Sequence, residues 1–193
     1  MDIKARILSR KVALIYFYDI LFFEYMRSNT HVFDDAQKVA KFINSGPLGV
    51  KTNPMADDVA AHVRDSQSPY TPETFDHDVA YIIRYHFEHV SVEDVDMTYL
   101  YAVGPKMSSF SPLVEQLVNT YVSSFAYDQM DLIDRAIFVL GYTEWKVLGT
   151  PKEVVLNEMI ELAKRYGDVS SAKLINGIGH NLLHDESLSG VTQ

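Results

Sequence analysis

The sequence predicts an all-α fold, a bundle of seven or eight helices in two packed subdomains, and three observations lead to it. Apolar residues recur at three- and four-residue spacings in one segment after another, as a single buried helix face requires. Glycine, proline and small polar residues stop and restart those segments. Three consecutive stripes between Met130 and Leu183 cannot be buried separately, so each needs the others as its cover.

In chain order, residues 3 to 27 read as one long helix without Gly or Pro. Ala5, Ile7, Leu8, Val12, Ile15, Tyr16, Ile20 and Phe23 give it more than one apolar stripe, which buries its middle and leaves its first two turns charged. A second segment, 33 to 44, carries Phe33, Ala36, Val39, Ala40 and Ile43 and stops at Gly46-Pro47. Residues 55 to 63 form a short helix in a turn-rich, peripheral stretch. Thr71 with Pro72 and Glu73 opens the next helix, whose apolar positions Phe75, Val79, Ile82, Ile83, Tyr85 and Phe87 run to about Val90. Ser91 to Asp94 starts an acidic turn or short helix through Val103, and Gly104-Pro105 separates it from a helix over 110–125 with Leu113, Val114, Leu117, Val118, Tyr121 and Val122 inward.

The last three stripes follow. Leu132, Ile133, Ala136, Ile137, Val139, Leu140 and Val147 end at Gly149; Thr150 and Pro151 restart the chain as cap and first turn. Val154, Val155, Met159, Leu162 and Ala163 run to Gly167, and Ser170 or Ser171 caps a final helix with Leu174, Ile175, Ile178, Leu182 and Leu183 inside. One domain therefore spans 1–188. Its N-terminal part, 1–105, includes a divergent or inserted 45–72 region, its C-terminal bundle is 106–188, and 189–193 is a flexible tail.

Composition narrows the function. The chain contains no cysteine, which removes disulfides, thiol nucleophiles and thiolate metal sites and suits the cytoplasm. No apolar run reaches transmembrane length. Net charge is −9, against the usual sign for a protein that coats nucleic acid. The charge is uneven, however. Lys4, Arg6, Arg10 and Lys11 stand near the start with only Asp2 against them, whereas 57–96 holds ten acids against Arg64 and Arg84.

Asp134-Arg135-Ala136-Ile137, Leu140-Gly141, Glu144, Pro151, Val154 through Glu158, Glu161 through Lys164, Gly167, Ser171 and Asn176-Gly177-Ile178 are similar in order and spacing to the NusB transcription antitermination family. Arg10, Ala13-Leu14, Phe17 and Tyr18 make a second, shorter match, and 45–105 matches poorly. The resemblance implies a NusB-like all-α bundle that binds boxA-like single-stranded RNA of ribosomal transcripts together with NusE, ribosomal small-subunit protein ten, within the RNA polymerase antitermination complex. It implies no catalysis, no cofactor, no metal and no membrane. Homodimerisation stays open.

The same resemblance assigns RNA contact to Arg6 and Arg10, with Lys4 and Lys11 as neighbouring candidates. Where relatives carry further basic residues this chain has Ile7, Leu8, Gln129 and Val139. The alternative is a NusB-like protein-interaction module with weak or lost RNA binding. A positive surface made by Arg6, Arg10 and Lys11 favours RNA; burial of those side chains, or their neutralisation by the 57–96 acids, favours the module.

The other motif residues read as structural. Adjacent Asp134 and Arg135 cannot pair as i,i+4 neighbours do, so Asp134 caps a turn and Arg135 bridges to another helix. Asn157 and Glu158 lie among apolar neighbours, where Asn157 bonds to a loop; Glu158 and Glu161 share a helix face as paired carboxylates do, with no nearby His to complete a metal set; Glu161 pairs with Arg165, and Asn176-Gly177 combines polar bonding with close helix approach. Glu144 belongs to the family motif without a chemical role of its own. His86 with His89, near Asp94 and Asp96, is the weak metal alternative. His180 and His184, at i,i+4, suit a helix C-terminus. Most of the twelve tyrosines pack with rings inside and hydroxyls at the boundary.

Overall fold

A computed structural model describes residues 2–28, 70–71, 73–122 and 126–184. Within them the chain forms only helices, turns and short connections, with no strand. The α-helices are α1 (Ile3–Ser28), α2 (Phe75–His86), α3 (Met97–Val103), α4 (Met107–Tyr121), α5 (Leu132–Leu148), α6 (Lys152–Tyr166) and α7 (Ser171–His184). The helices expected over 33–44 and 55–63, nearly all of 45–72, and the 189–193 tail lie outside the described residues. The chain divides into two compact units, Met1–Asp19 with Pro72–Gln193, and Ile20–Thr71. In the second, α1 continues to Ser28 with Arg27 in its last turn. Every residue of the site described below belongs to the first.

Helix α5 is the hub of that unit. Every residue from Ala136 to Glu144 is buried, and α3, α4, α6 and α7 all contact this helix. A helix covered on all sides must be apolar nearly all round. Ile137, Phe138, Val139 and Leu140 meet that condition, and the polar Thr143 and Glu144 break it. Val155, Met159, Leu162 and Ala163 turn the inner face of α6 inward, and Ile175, Ile178, Leu182 and Leu183 do the same for α7. The three stripes read from the sequence are thus buried or half-buried except at Val154, expected inward, which lies exposed on α6.

Boundaries differ where side chains near the ends compete for backbone groups. Helix α2 starts at Phe75 behind Thr74, whose hydroxyl donates to Asp78 Oδ2 at 2.8 Å, rather than behind Thr71. It stops at His86, not Val90, because Phe87 is extended and His89 takes a positive φ of 58°. Tyr85, expected inward, is exposed. The 91–103 stretch is broken in two. Asp94 accepts from the Ser91 N–H at 2.8 Å to close a 3-10 turn, and Asp96 then caps α3 by accepting from the Tyr99 N–H at 3.0 Å. Gly104-Pro105 does not separate α3 from α4. It forms a 3-10 turn that leads straight into α4 at Met107, three residues before the expected start.

Helix α5 ends as the sequence predicts. Gly149 lies at φ 63°, and its N–H donates to the Trp145 carbonyl at 3.0 Å. A Cβ built there would meet nothing within 4 Å, so only backbone strain opposes a side chain. Gly149→Ala is expected to lose about 1 kcal/mol of stability, checked by urea unfolding, and an unchanged midpoint would contradict it. One residue later than expected, Pro151 precedes α6 and its carbonyl accepts from the N–H groups of Val154 and Val155. Asp168, not a serine side chain, organises the start of α7: its Oδ1 accepts from the N–H groups of Ser170 at 2.7 Å and Ser171 at 2.8 Å. The Ser170 hydroxyl, which donates to the same oxygen at 2.8 Å, and those two N–H groups hold the Asp168 carboxyl below its ordinary pKa.

Candidate functional site

Four elements of the first unit meet at the N-terminal half of α1. The apolar stripe of Val12, Ala13, Leu14 and Phe17 is almost fully buried, and one turn earlier the same packing carries Ser9 and Arg10 inside, Arg10 with 6% exposure. A cation taken so far from water needs anionic partners. Arg10 Nε donates to Glu144 Oε2 at 2.9 Å and Nη2 to Glu144 Oε1 at 2.7 Å, a bidentate pair with a carboxylate only 2% exposed. Nη1 lies 3.2 Å from Glu158 Oε2 on α6. The Tyr99 hydroxyl donates to Glu144 Oε2 at 2.9 Å. All three guanidinium nitrogens therefore face carboxylates.

Arg6, one turn before, is held from α3. Its Nε and Nη2 donate to Asp96 Oδ2 at 3.1 and 2.9 Å, and its guanidinium carbon sits 4.6 Å from the centre of the Tyr99 ring. Arg10 approaches the same ring at 6.0 Å. The Asp96 N–H donates to Ser9 Oγ at 2.7 Å, and that hydroxyl donates onward to the Ala5 carbonyl at 2.8 Å. Asp96 thus caps α3 and clamps α1 to it with the same side chain.

Charge states follow from this geometry. Burial pulls the Arg10 pKa down, but the hydrogen bond and the charge of Glu144 outweigh it and leave the guanidinium more firmly protonated than usual. Burial, then the Glu144 charge, pushes the Tyr99 phenol well above its ordinary value, so it stays a donor at neutral pH. Burial opposes ionisation of Asp96, yet the Tyr99 N–H and Arg6 hold its pKa below the usual carboxylate value. At neutral pH the network is an ion pair with its phenol protonated. It is built to fix α1 in place and contains no group poised for bond chemistry.

The four basic residues near the start therefore separate. Arg6 and Arg10 point inward onto Asp96, Glu144 and Glu158, Asp96 being one of the acids of the 57–96 stretch. Lys4 is exposed, and Lys11 is half-buried beside Ile7 and the end of α6. Sequence reasoning named Glu144 and Glu158 without linking either to the arginines and missed Asp96 and Tyr99 as partners of the arginines. The one available signal was a pair of arginines four apart opposite a tract rich in acids.

The remaining motif residues fall as follows. Asp134 is buried in the first turn of α5 and accepts from Ser171 Oγ at 3.1 Å, so the bridge to another helix belongs to Asp134. Burial raises the Asp134 pKa, only partly countered by that bond. Arg135 instead lies 5.6 Å from the Tyr127 ring centre. Asn157 and Asn176 are exposed, and Asn157 makes no loop hydrogen bond among the described residues. A Cβ at Gly177 would meet nothing within 4 Å; the close approach expected there occurs at Gly179, 3.0 Å from Leu156 Cδ1. Glu161 pairs with Lys164 at 2.6 Å rather than with Arg165. His86 and His89 are exposed, and no three metal-ligating side chains cluster among the described residues. The rings of His180 and His184 stack at 4.4 Å.

Residues 87–183 match the model of the NusB family. Over 69 residues the chain is 32% identical to the transcription antitermination protein NusB of Fusobacterium nucleatum subsp. nucleatum, covering 36% of this chain and 45% of that protein. Over 73 residues it is 34% identical to the transcription antitermination protein NusB of Methylacidiphilum infernorum, covering 37% of this chain and 51% of that one. The chain thus spans about half the length of the curated relatives it matches.

Proposed function

The chain belongs to the NusB family, and from that premise we propose that it is a non-catalytic transcription antitermination factor that binds boxA-like single-stranded RNA together with NusE in the antitermination complex of RNA polymerase. The observation that carries this reading is the match of residues 87–183 to the family model, and the clamp on α1 bears on which residues are left to contact RNA. Glu144 and Glu158, both inside the family-matched 87–183 region, hold Arg10, and Asp96 from the same region holds Arg6. The first turns of α1 are thereby fixed, with Lys4 exposed and Lys11 beside the α6 end. In this reading Lys4 and Lys11 touch RNA, and Arg6 and Arg10 are positioning residues.

A second reading, a NusB-like module that works mainly through proteins, is favoured by the same ion pairs, because cations spent on internal carboxylates are lost to phosphate. Binding of boxA and scrambled RNA at controlled salt, with and without NusE, separates the two. Selective binding that weakens in Lys4→Ala/Lys11→Ala is the expected result. Equal affinity for both strands, alone and with NusE, would leave the module reading. The variant leaves Arg10 in place, because its loss disturbs the fold itself. No described helix is long and apolar enough to cross a membrane.

A further inference from the structure

Between the first turns of α1 and the last turns of α6 runs a groove of about 340 Å³, lined by Ile7, Lys11, Glu161, Leu162, Lys164 and Arg165. Three cations stand here against one carboxylate, in a chain whose net charge is −9. The carboxylate, Glu161, is held by Lys164 at 2.6 Å. Lys11 and Arg165 have no ion pair among the described residues. Arg165 lies 5.6 Å from the ring centre of Tyr166, so its guanidinium stays beside an aromatic face at the groove's edge. Arg10 adds no free charge, since Glu144 and Glu158 consume it.

We infer that this groove binds the phosphodiester backbone of single-stranded RNA, with Lys11 and Arg165 on phosphates and the apolar surface of Ile7 and Leu162 against a base or sugar. The inference rests on the RNA reading above and extends it from α1 to α6. Its chemistry is that of a nucleotide. Two unpaired cations meet the phosphates, and the intervening apolar lining meets the flat face of a base. Glu161 offers an acceptor for a ribose 2′-hydroxyl or a base N–H. A run of acidic side chains from a protein would leave that acceptor unused and the apolar lining bare.

The test is fluorescence anisotropy with labelled oligouridylate across a salt series, which reads the backbone without boxA sequence. Lys11→Ala/Arg165→Ala is expected to weaken binding on the order of tenfold and to reduce the slope of log K against log salt by about 1.4, as loss of two single-strand phosphate contacts requires. Exposed Lys106→Ala, on another element, should leave both unchanged. Circular dichroism confirms that each variant is folded. If the double variant matches the wild type while boxA selectivity persists, the groove inference is overturned and the RNA reading stands. Tighter binding of polyglutamate than of oligouridylate would also overturn it and make the groove a protein site. Selectivity lost with oligouridylate binding still dependent on Lys11 and Arg165 would sink boxA recognition and leave the groove.

Discussion

Glu144→Ala is expected to destabilise the protein by about 3–5 kcal/mol, the cost of stranding one member of a buried ion pair. Three groups depend on that carboxylate. Arg10 donates to it twice, Tyr99 once, and the residue is 2% exposed, so water cannot substitute. Arg10 would keep its 3.2 Å ion pair with Glu158 and its approach to the Tyr99 ring, which places the loss nearer the lower figure. Arg10→Ala should cost a similar amount from the other side. Arg10→Lys should not rescue it, because an ammonium lacks the planar fork that meets both Glu144 oxygens. Urea unfolding at neutral pH measures each change. The double variant Arg10→Met/Glu144→Leu tests the cause. Two apolar side chains in place of the pair should recover most of the loss. If each single variant lost less than about 1 kcal/mol, Arg10 would be acting as a solvated side chain.

Such a result would also decide how RNA measurements on this helix are read. Weaker binding by an Arg10 variant would report a loosened α1 as readily as a lost phosphate contact. Lys11 and Arg165 line the same α1–α6 junction without an ion pair among the described residues. Their substitution removes charge and leaves the clamp intact.

The sequence made the helices legible because burial imposes a period. In α5, α6 and α7, apolar residues at three- and four-residue spacing had to face inward, and all but Val154 of α6 do. Helix ends were less legible because several nearby groups compete for the same free N–H bonds. Around α7, Ser170, Ser171 and Asp168 were all chemically suitable, and the loop geometry selected Asp168 for both backbone bonds. Around α2, Thr74 sits where its hydroxyl reaches Asp78, a contact that Thr71 cannot anticipate from spacing.

The site was legible by residue type and not by direction. Arg6 and Arg10 sit one turn apart on a helix, a pattern that suits either a phosphate-binding face or an internal clamp. The choice rests on partners 90 and 134 residues away, Asp96 and Glu144, brought close only by the packing of α3 and α5 against α1. No local pattern encodes that. Glu144 ends a buried run that is otherwise uncharged, and a lone acid there is a sign that some cation must reach it.

Gly104→Ala is expected to cost about 1–3 kcal/mol through overpacking rather than backbone strain. A Cβ at Gly104 would lie 2.5 Å from Phe75 Cε2 and 2.6 Å from Cζ. Phe75 has little freedom to withdraw. It is 3% exposed, edge-on to Tyr16 at 5.0 Å and tilted against Tyr101 at 5.9 Å. The glycine therefore lets the α3–α4 turn close onto the first residue of α2, which explains why Gly104-Pro105 joins those helices instead of parting them. Thermal unfolding should show the midpoint lowered by several degrees, at roughly 2–4 °C for each kcal/mol in a chain of this size. Phe75→Leu will itself be destabilising, yet adding Gly104→Ala to it should cost clearly less than in the wild type, because the shorter side chain vacates the added methyl's space. A coupling of about 1 kcal/mol is the signature of contact between the two positions. Strict additivity would mean that the alanine acts through the backbone, as at Gly149, and that the close approach to Phe75 is not what requires glycine.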